Sequence, residues 1–204
     1  MSFIQGSIET LKPLVKSLLP QRMYQGIQLH LLGYTEVGRS PDRQYMENSL
    51  LPAFARLPSP RVLDVGTRFF TPRYAKFFRS GSEYWTLDID PAVAQFGSPG
   101  RHVTGSVVTA AEFFKPAYFD VVLLNGVFGW GVDDSVDQRM TLKQLRQIMR
   151  SGAVLLIGWN HDLTTEDVIA MARAEGFSYS NMLGLSNRKK FSENTHVYDL
   201  FTAI

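Results

Sequence analysis

Three acidic or amide side chains stand where a strand would end, each beside a glycine or a proline. The first is in Val62-Leu63-Asp64-Val65-Gly66-Thr67, an apolar run closed by glycine. A glycine at a strand end lets a ligand approach the backbone, and a following helix would point amide donors at that ligand. Asp64 would orient the turn or meet an amino group. The second is in Trp85-Thr86-Leu87-Asp88-Ile89-Asp90-Pro91, some twenty residues on. A carboxylate there suits paired hydrogen bonds to ribose hydroxyls. Asp88 is the better placed acid, because Asp90 before proline suits a helix cap. The third is Phe119-Asp120-Val121-Val122-Leu123-Leu124-Asn125-Gly126, followed by Val127-Phe128-Gly129-Trp130. Asn125 would share the edge of Asp64 and Asp88, and Phe128 and Trp130 would cover a ring or wall off a substrate. Each run also has a plainer reading, as a strand end, a solvated turn or core aromatics.

The elements needed to align these residues are legible. From Arg61 onward, strands and helices alternate. Strands are expected over Arg61–Gly66, Tyr84–Ile89, Arg101–Val103, Phe119–Leu124, Ala153–Trp159, Phe177–Leu183 and His196–Ala203. Helices are expected over Pro72–Arg79, Ser135–Met149 and Thr164–Glu175, the last with a threonine cap and Asp167 three residues on. The pattern predicts an α/β doubly wound, seven-stranded, mostly parallel sheet with ligands beyond the carboxyl ends of its strands. The loop Ser186–Thr195 is too short for a parallel crossover, so the last strand should run antiparallel to its predecessor. Residues 1–56 form an N-terminal helical extension, with Leu11, Leu14, Val15, Leu18 and Leu19 as one apolar set. Met23, Ile27, Leu31 and Leu32 form another. Ser40-Pro41-Asp42 begins a further helix. The stretch Tyr34–Tyr45, with Glu36, Arg39, Arg43 and Tyr45, would serve as a lid, or only pad the sheet. Residues 57–204 carry the α/β domain.

Composition narrows the chemistry. The 204 residues carry 21 basic and 19 acidic side chains, too balanced to argue for nucleic acid or an anionic membrane as the main partner. Cysteine is absent, which excludes disulfides, cysteine–zinc sites and thiol catalysis, and four scattered histidines make a metal cluster unexpected. The apolar runs are of strand length, and the N-terminus lacks a basic start followed by a long apolar stretch, so a cytoplasmic location is expected.

From about Arg61 to Ala203 the chain resembles the class I S-adenosylmethionine-dependent methyltransferases. Val62–Gly66 is similar to their first motif, Thr86–Pro91 to the second and Phe119–Gly126 to the fourth. Leu142–Ile157 is similar to the helix, glycine turn and fifth strand that follow. The resemblance implies S-adenosylmethionine as cofactor, with Asp64, Gly66 and Thr67 at its methionine end. Asp88 would then bind the ribose, Ile89 would pack on the adenine, and Asn125 and Gly126 would line the methyl-donor side. Two departures stand out. Arg68 replaces an expected second glycine, and would either crowd the carboxypropyl group or bind its carboxylate. Gly105-Ser106 stands where Gly-Asp is usual, leaving Ser106 to meet the adenine amino group.

Methyl transfer needs a base only when the acceptor must lose a proton. His161 is a candidate base, and Asp133 and Asp134 are candidates to bind hydroxyls or amines, although a surface loop suits all three. The Asn-Pro-Pro-Tyr of DNA amino-methyltransferases is absent, and Arg188, Lys189 and Lys190 read as a solvated loop. The expected function is therefore a methyltransferase acting on a small-molecule or sugar-like acceptor. Its rival is a non-catalytic scaffold whose pocket is filled by Arg68, Phe69 or Phe70. A nicotinamide oxidoreductase is disfavoured by the lack of Gly-x-Gly-x-x-Gly.

Overall fold

A computed structural model describes residues 40–164 and 166–204. The expected helices before Ser40, and with them Glu36 and Arg39, lie outside the described residues.

Residues 41–204 form one compact unit around an eight-stranded sheet. Its strands are β1 (Arg61–Val65), β2 (Glu83–Asp88), β3 (His102–Thr104), β4 (Phe119–Asn125), β5 (Met149–Asn160), β6 (Phe177–Tyr179), β7 (Arg188–Lys190) and β8 (His196–Ala203). The order is β3-β2-β1-β4-β5-β8-β6, with β7 also paired to β8. Strands β1 to β5 pair in parallel, and β8 runs antiparallel to β5 and β6. The antiparallel last strand agrees with the short-loop argument. The count does not, because the loop expected to be solvated contains β7. Arg188 there forks onto Asp199 through Nε at 2.7 Å and Nη2 at 2.8 Å, and Lys189 lies over the rings of Tyr45 and Phe191.

Strand alternation divides the core in two. Val122 and Leu124 face Leu142, Leu145 and Ile148 of the helix Ser135–Ile148. Val121 and Leu123 face Met46, Leu50 and Phe54, from the continuous helical stretch formed by Pro41–Tyr45, Met46–Leu50 and Leu51–Phe54. The side chains of β1 alternate in the same way. Val62 belongs to this second layer, so Asp64 points toward it, where Tyr84 meets the carboxylate.

Several expected helices differ. Pro72–Arg79 is a 3-10 helix over Thr71–Phe77, because Phe78 turns extended and lays its ring 5.4 Å from that of Tyr84. The β2–β3 and β3–β4 links also use 3-10 helices, Pro91–Phe96 and Val107–Glu112. The helix expected from Thr164 spans Val168–Ala174. Its cap is Asp167, which accepts from the amides of Ile169 and Ala170, while the buried Thr164 hydroxyl has no partner. Strand β5 starts at Met149, so Ser151-Gly152 lies inside it, and β6 stops at Tyr179. No helix among the described residues is long and apolar enough to cross a membrane.

Fully buried Asp199 on β8 holds the antiparallel edge together. Besides Arg188 it accepts from Trp159 Nε1 at 2.9 Å and from the Tyr179 hydroxyl at 2.9 Å. Asp199→Ala would leave the two aromatic donors unpaired. We expect about 3 kcal/mol of destabilisation, read by chemical denaturation; a change within experimental error would show that the network contributes nothing.

Candidate functional site

The carboxyl ends of β1, β2, β4 and β5 meet the start of β8 at one edge of the sheet. In register, Asp64 lies beside Leu123, Asn125 beside Gly158, and Asn160 beside His196. Strand order reverses between β1 and β4, and a cleft opens there, as expected for a doubly wound sheet. It has two lobes that share Gly66, Arg68, Gly126 and Trp130.

The larger lobe measures about 370 Å³, within the range of small-molecule sites. Asp64 lies at its base, 2% exposed, and accepts a 2.9 Å hydrogen bond from Tyr84. Burial raises its pKa to about 7, against smaller opposing pulls from the Tyr84 hydrogen bond and the Arg43 charge. Arg43 enters the same lobe from the helical stretch. Its Nη1 donates to Tyr74 at 2.6 Å, and its guanidinium lies 3.9 Å from the centre of the Phe70 ring. Its Nε lies 4.0 Å from the Asp42 carboxylate, and among the described residues Nη2 has no hydrogen-bond acceptor, which leaves donor capacity on a side chain that lines the lobe.

His196 closes the far side. Its Nδ1 is 3.3 Å from Asn160 Oδ1 and its Nε2 is 3.1 Å from Asn125 Oδ1. Burial lowers its pKa to about 4, with Arg43 acting in the same direction and Asp42 against it. The ring is thus neutral near pH 7 and carries one N–H. Asn160 is held in turn by Thr195, and Trp130 Nε1 donates to it at 3.4 Å. The absence of a side chain at Gly158 is required, since a Cβ there would stand 2.0 Å from Asn125 Oδ1.

The second lobe measures about 190 Å³ and is lined by Asp88, Ile89, Ser106, Val107 and Val132, among others. Asp88 is buried, with Oδ1 accepting from the Asp90 amide and Oδ2 from Arg68 Nη1 at 3.2 Å. Ile89 is 71% exposed, so its side chain is free to form a lid on this lobe. Ser106 caps the following 3-10 helix through the amide of Val108. Gly126, at φ +65°, forms the floor between the lobes, and a Cβ there would meet nothing within 4 Å. Gly66, at φ +91°, donates its amide to Leu87. Both conformations favour glycine.

The cleft thus brings together Asp64, Gly66, Asp88, Ile89, Ser106, Asn125 and Gly126. Thr67 is fully buried and not among the lining residues, and its hydroxyl has no partner. His161 and Asp133 are exposed and line neither lobe. Asp133 accepts from the Gly131 amide, and Asp134 caps the helix Ser135–Ile148. Asp90 caps Pro91–Phe96, as its place before proline suggests. Phe128 is core. Sequence reasoning missed His196, Asn160 and Tyr74. Asn160 and His196 lie at the ends of expected strands, a signal that was available. Arg68 neither crowds the turn nor fills the lobes. It bridges Asp88 and the Thr67 carbonyl, 2.8 Å away. Among the described residues, no group of three or more acidic or histidine side chains could hold a metal ion.

No family model and no curated protein sequence matches the chain. Solved structures do match. The N-methyltransferase NodS from Bradyrhizobium japonicum WM9, in complex with S-adenosyl-L-homocysteine, superposes with a TM-score of 0.63 at 13% identity, covering 89% of this chain and 97% of that one. A SAM-dependent methyltransferase from Aquifex aeolicus gives 0.60 at 13% identity, over 81% of this chain and 94% of its own. A TehB-like SAM-dependent methyltransferase from Corynebacterium glutamicum gives 0.59 at 16%, over 76% and 88%. The chain has the class I methyltransferase fold. In this methyltransferase fold the cleft at the β1/β4 reversal is the place where a ligand would bind, and the residues named above line it.

Asp64 is held in this fold against its own preference for water. Its folded pKa of about 7 exceeds the ordinary value of 3.8, so the folded state keeps a proton that the unfolded chain has lost. Stability should therefore fall as pH rises from about 4 to about 7, costing on the order of 4 kcal/mol by pH 8. Asp64→Asn keeps an acceptor for Tyr84 and removes the charge. Its melting midpoint at pH 8 should exceed that of the natural protein by about 10 °C, with little difference at pH 4. Equal pH profiles for the two proteins would mean that Asp64 titrates normally.

Proposed function

We propose that this protein binds S-adenosylmethionine in the two-lobed cleft and transfers its methyl group to a small-molecule acceptor. The observation that carries the reading is the pairing of Asp64 with Arg43 in one lobe. A buried carboxylate and a guanidinium with spare donors, both facing one chamber, match the ammonium and carboxylate of an amino acid. The neighbouring lobe presents Asp88 at the end of β2, suited to a ribose diol, across a floor made by Gly66 and Gly126. Those residues fit the cofactor. The open space above Gly126 leaves room where any side chain would intrude.

When bound, the cofactor supplies an activated methyl group on a sulfonium. The protein then has to hold donor and acceptor in line and keep water out. Asp64 and Arg43 would fix the amino-acid end, Asp88 the ribose, and Ile89 and Ser106 the adenine side. Trp130, which lines both lobes, would cover their junction. Asn125, Asn160 and His196 would face the acceptor with neutral hydrogen-bonding groups. The similar solved structures support the reading: all three described above are methyltransferases. The basic cluster supports a small acceptor over nucleic acid, since Arg188 is committed to Asp199 and Lys189 to two rings. The open lobes favour an enzyme over a scaffold with a closed site. Arg43 walls one lobe from the start of the helical stretch 41–54, while Met46, Leu50 and Phe54 further along it pad the sheet.

Isothermal titration with S-adenosylhomocysteine tests the reading. Micromolar binding is expected, weakened about tenfold or more by Asp88→Ala with the far-ultraviolet dichroism unchanged. No binding at millimolar ligand would reject the function; equal affinity in the variant would remove Asp88 from the site.

A further inference from the structure

Arg68 is the residue that the reading above leaves unexplained. Its side chain is half-exposed, it lines both lobes, and its Nη1 holds the Asp88 Oδ2 that a ribose would need. The other oxygen of Asp88 is already committed to the Asp90 amide. A ribose diol that takes the guanidinium's place on Oδ2 competes with Arg68. The competition is feasible, because the arginine side of the ion pair is half-exposed to water.

The released guanidinium would stand at the junction of the lobes, where the lining carboxylates among the described residues are Asp42, Asp64, Asp88 and Asp137. Asp64 and Arg43 answer the two ends of the cofactor's amino acid. Asp42 receives Asn194 at 2.8 Å and lies beside Arg43. Asp137 lines the adenosine lobe only. A freed Arg68 and the sulfonium then make two cations at the junction, which favours an anion arriving with the acceptor.

Resting on the proposed cofactor, we infer that Arg68 leaves Asp88 when the ribose binds and then holds an anionic group, a carboxylate or a phosphate, on the methyl acceptor. Arg68 thereby selects the acceptor and makes it bind after the cofactor. The coupling is reciprocal: an anion on Arg68 must strengthen binding at Asp88.

Titration of S-adenosylhomocysteine tests this with no acceptor in hand. The natural protein and Arg68→Gln are compared in chloride, acetate and phosphate at equal ionic strength. Homocysteine sulfur is uncharged, so the part of the anion effect that Arg68→Gln abolishes reports on Arg68, while any effect through Arg43 persists in both proteins. Acetate or phosphate should tighten binding by the natural protein about threefold, and the larger effect names the anion class. Arg68→Gln should bind about threefold more tightly than the natural protein in chloride, on the scale of an exposed ion pair. Its anion effect should be smaller, reduced to any part that acts through Arg43. Weaker binding by Arg68→Gln would place Arg68 on the cofactor and overturn the inference, as would equal anion effects in the two proteins. Ligand binding to neither protein would instead overturn the cofactor reading itself.

Discussion

The site depends on keeping one carboxylate, Asp64, buried at a sheet edge with no cation among the described residues hydrogen-bonded to it. Other buried acids in this chain are treated differently. Asp120, at the opposite edge, is surrounded by the amide and guanidinium of Arg61 and the guanidinium of Arg150. Burial alone would raise its pKa, but those donors outweigh it and hold the group below the usual value. Asp199 receives an arginine fork and two aromatic donors. Among the described residues, Asp64 receives a single phenol. Arg43 is close enough to pull on its charge, yet donates to Tyr74 instead. Such a buried acid is costly in an empty protein and useful in one that receives a cationic ligand group.

The rest of the architecture can be traced from this constraint. Strand alternation turns Asp64 toward the layer built by Pro41–Phe54, and that layer supplies Arg43. Register then sets Asn125 over Gly158, and Asn160 beside His196, on the same side of the cleft. Gly66 and Gly126 line both lobes, and beside Gly126 the space is open. Arg68 sits at their junction and ties the first strand's turn to the acid of the second.

Much of this was legible in the sequence because it is local. The strand ends carrying Asp64, Asp88 and Asn125 each announce themselves by an apolar run and a turn residue. The antiparallel last strand follows from the length of one loop. What escaped is non-local. His196 meets Asn125 across 71 positions, and its place at the start of an expected strand does not by itself say which strand end it faces. His161, beside a strand end and polar on its surface, looked the better candidate and lies outside both lobes. The 3-10 links escaped for another reason. The apolar spacing of Pro72–Arg79 is helical, but Phe78 turns extended and packs on Tyr84, which ends that link early. The cap at Asp167 shows the same competition at short range, since Thr164 offered an equally good side chain and the chain used the acid nearer the first turn.

The central claim is that Asp64 remains buried to meet the ammonium of the bound amino-acid group. The affinity of S-adenosylhomocysteine measured between pH 6 and pH 8, in the natural protein and in Asp64→Asn, tests it most directly. Asp64 ionises over this interval, with a pKa of about 7. Affinity should therefore rise about tenfold across it in the natural protein and stay flat in the variant. A flat profile in the natural protein, or the same rise in both, would contradict the account.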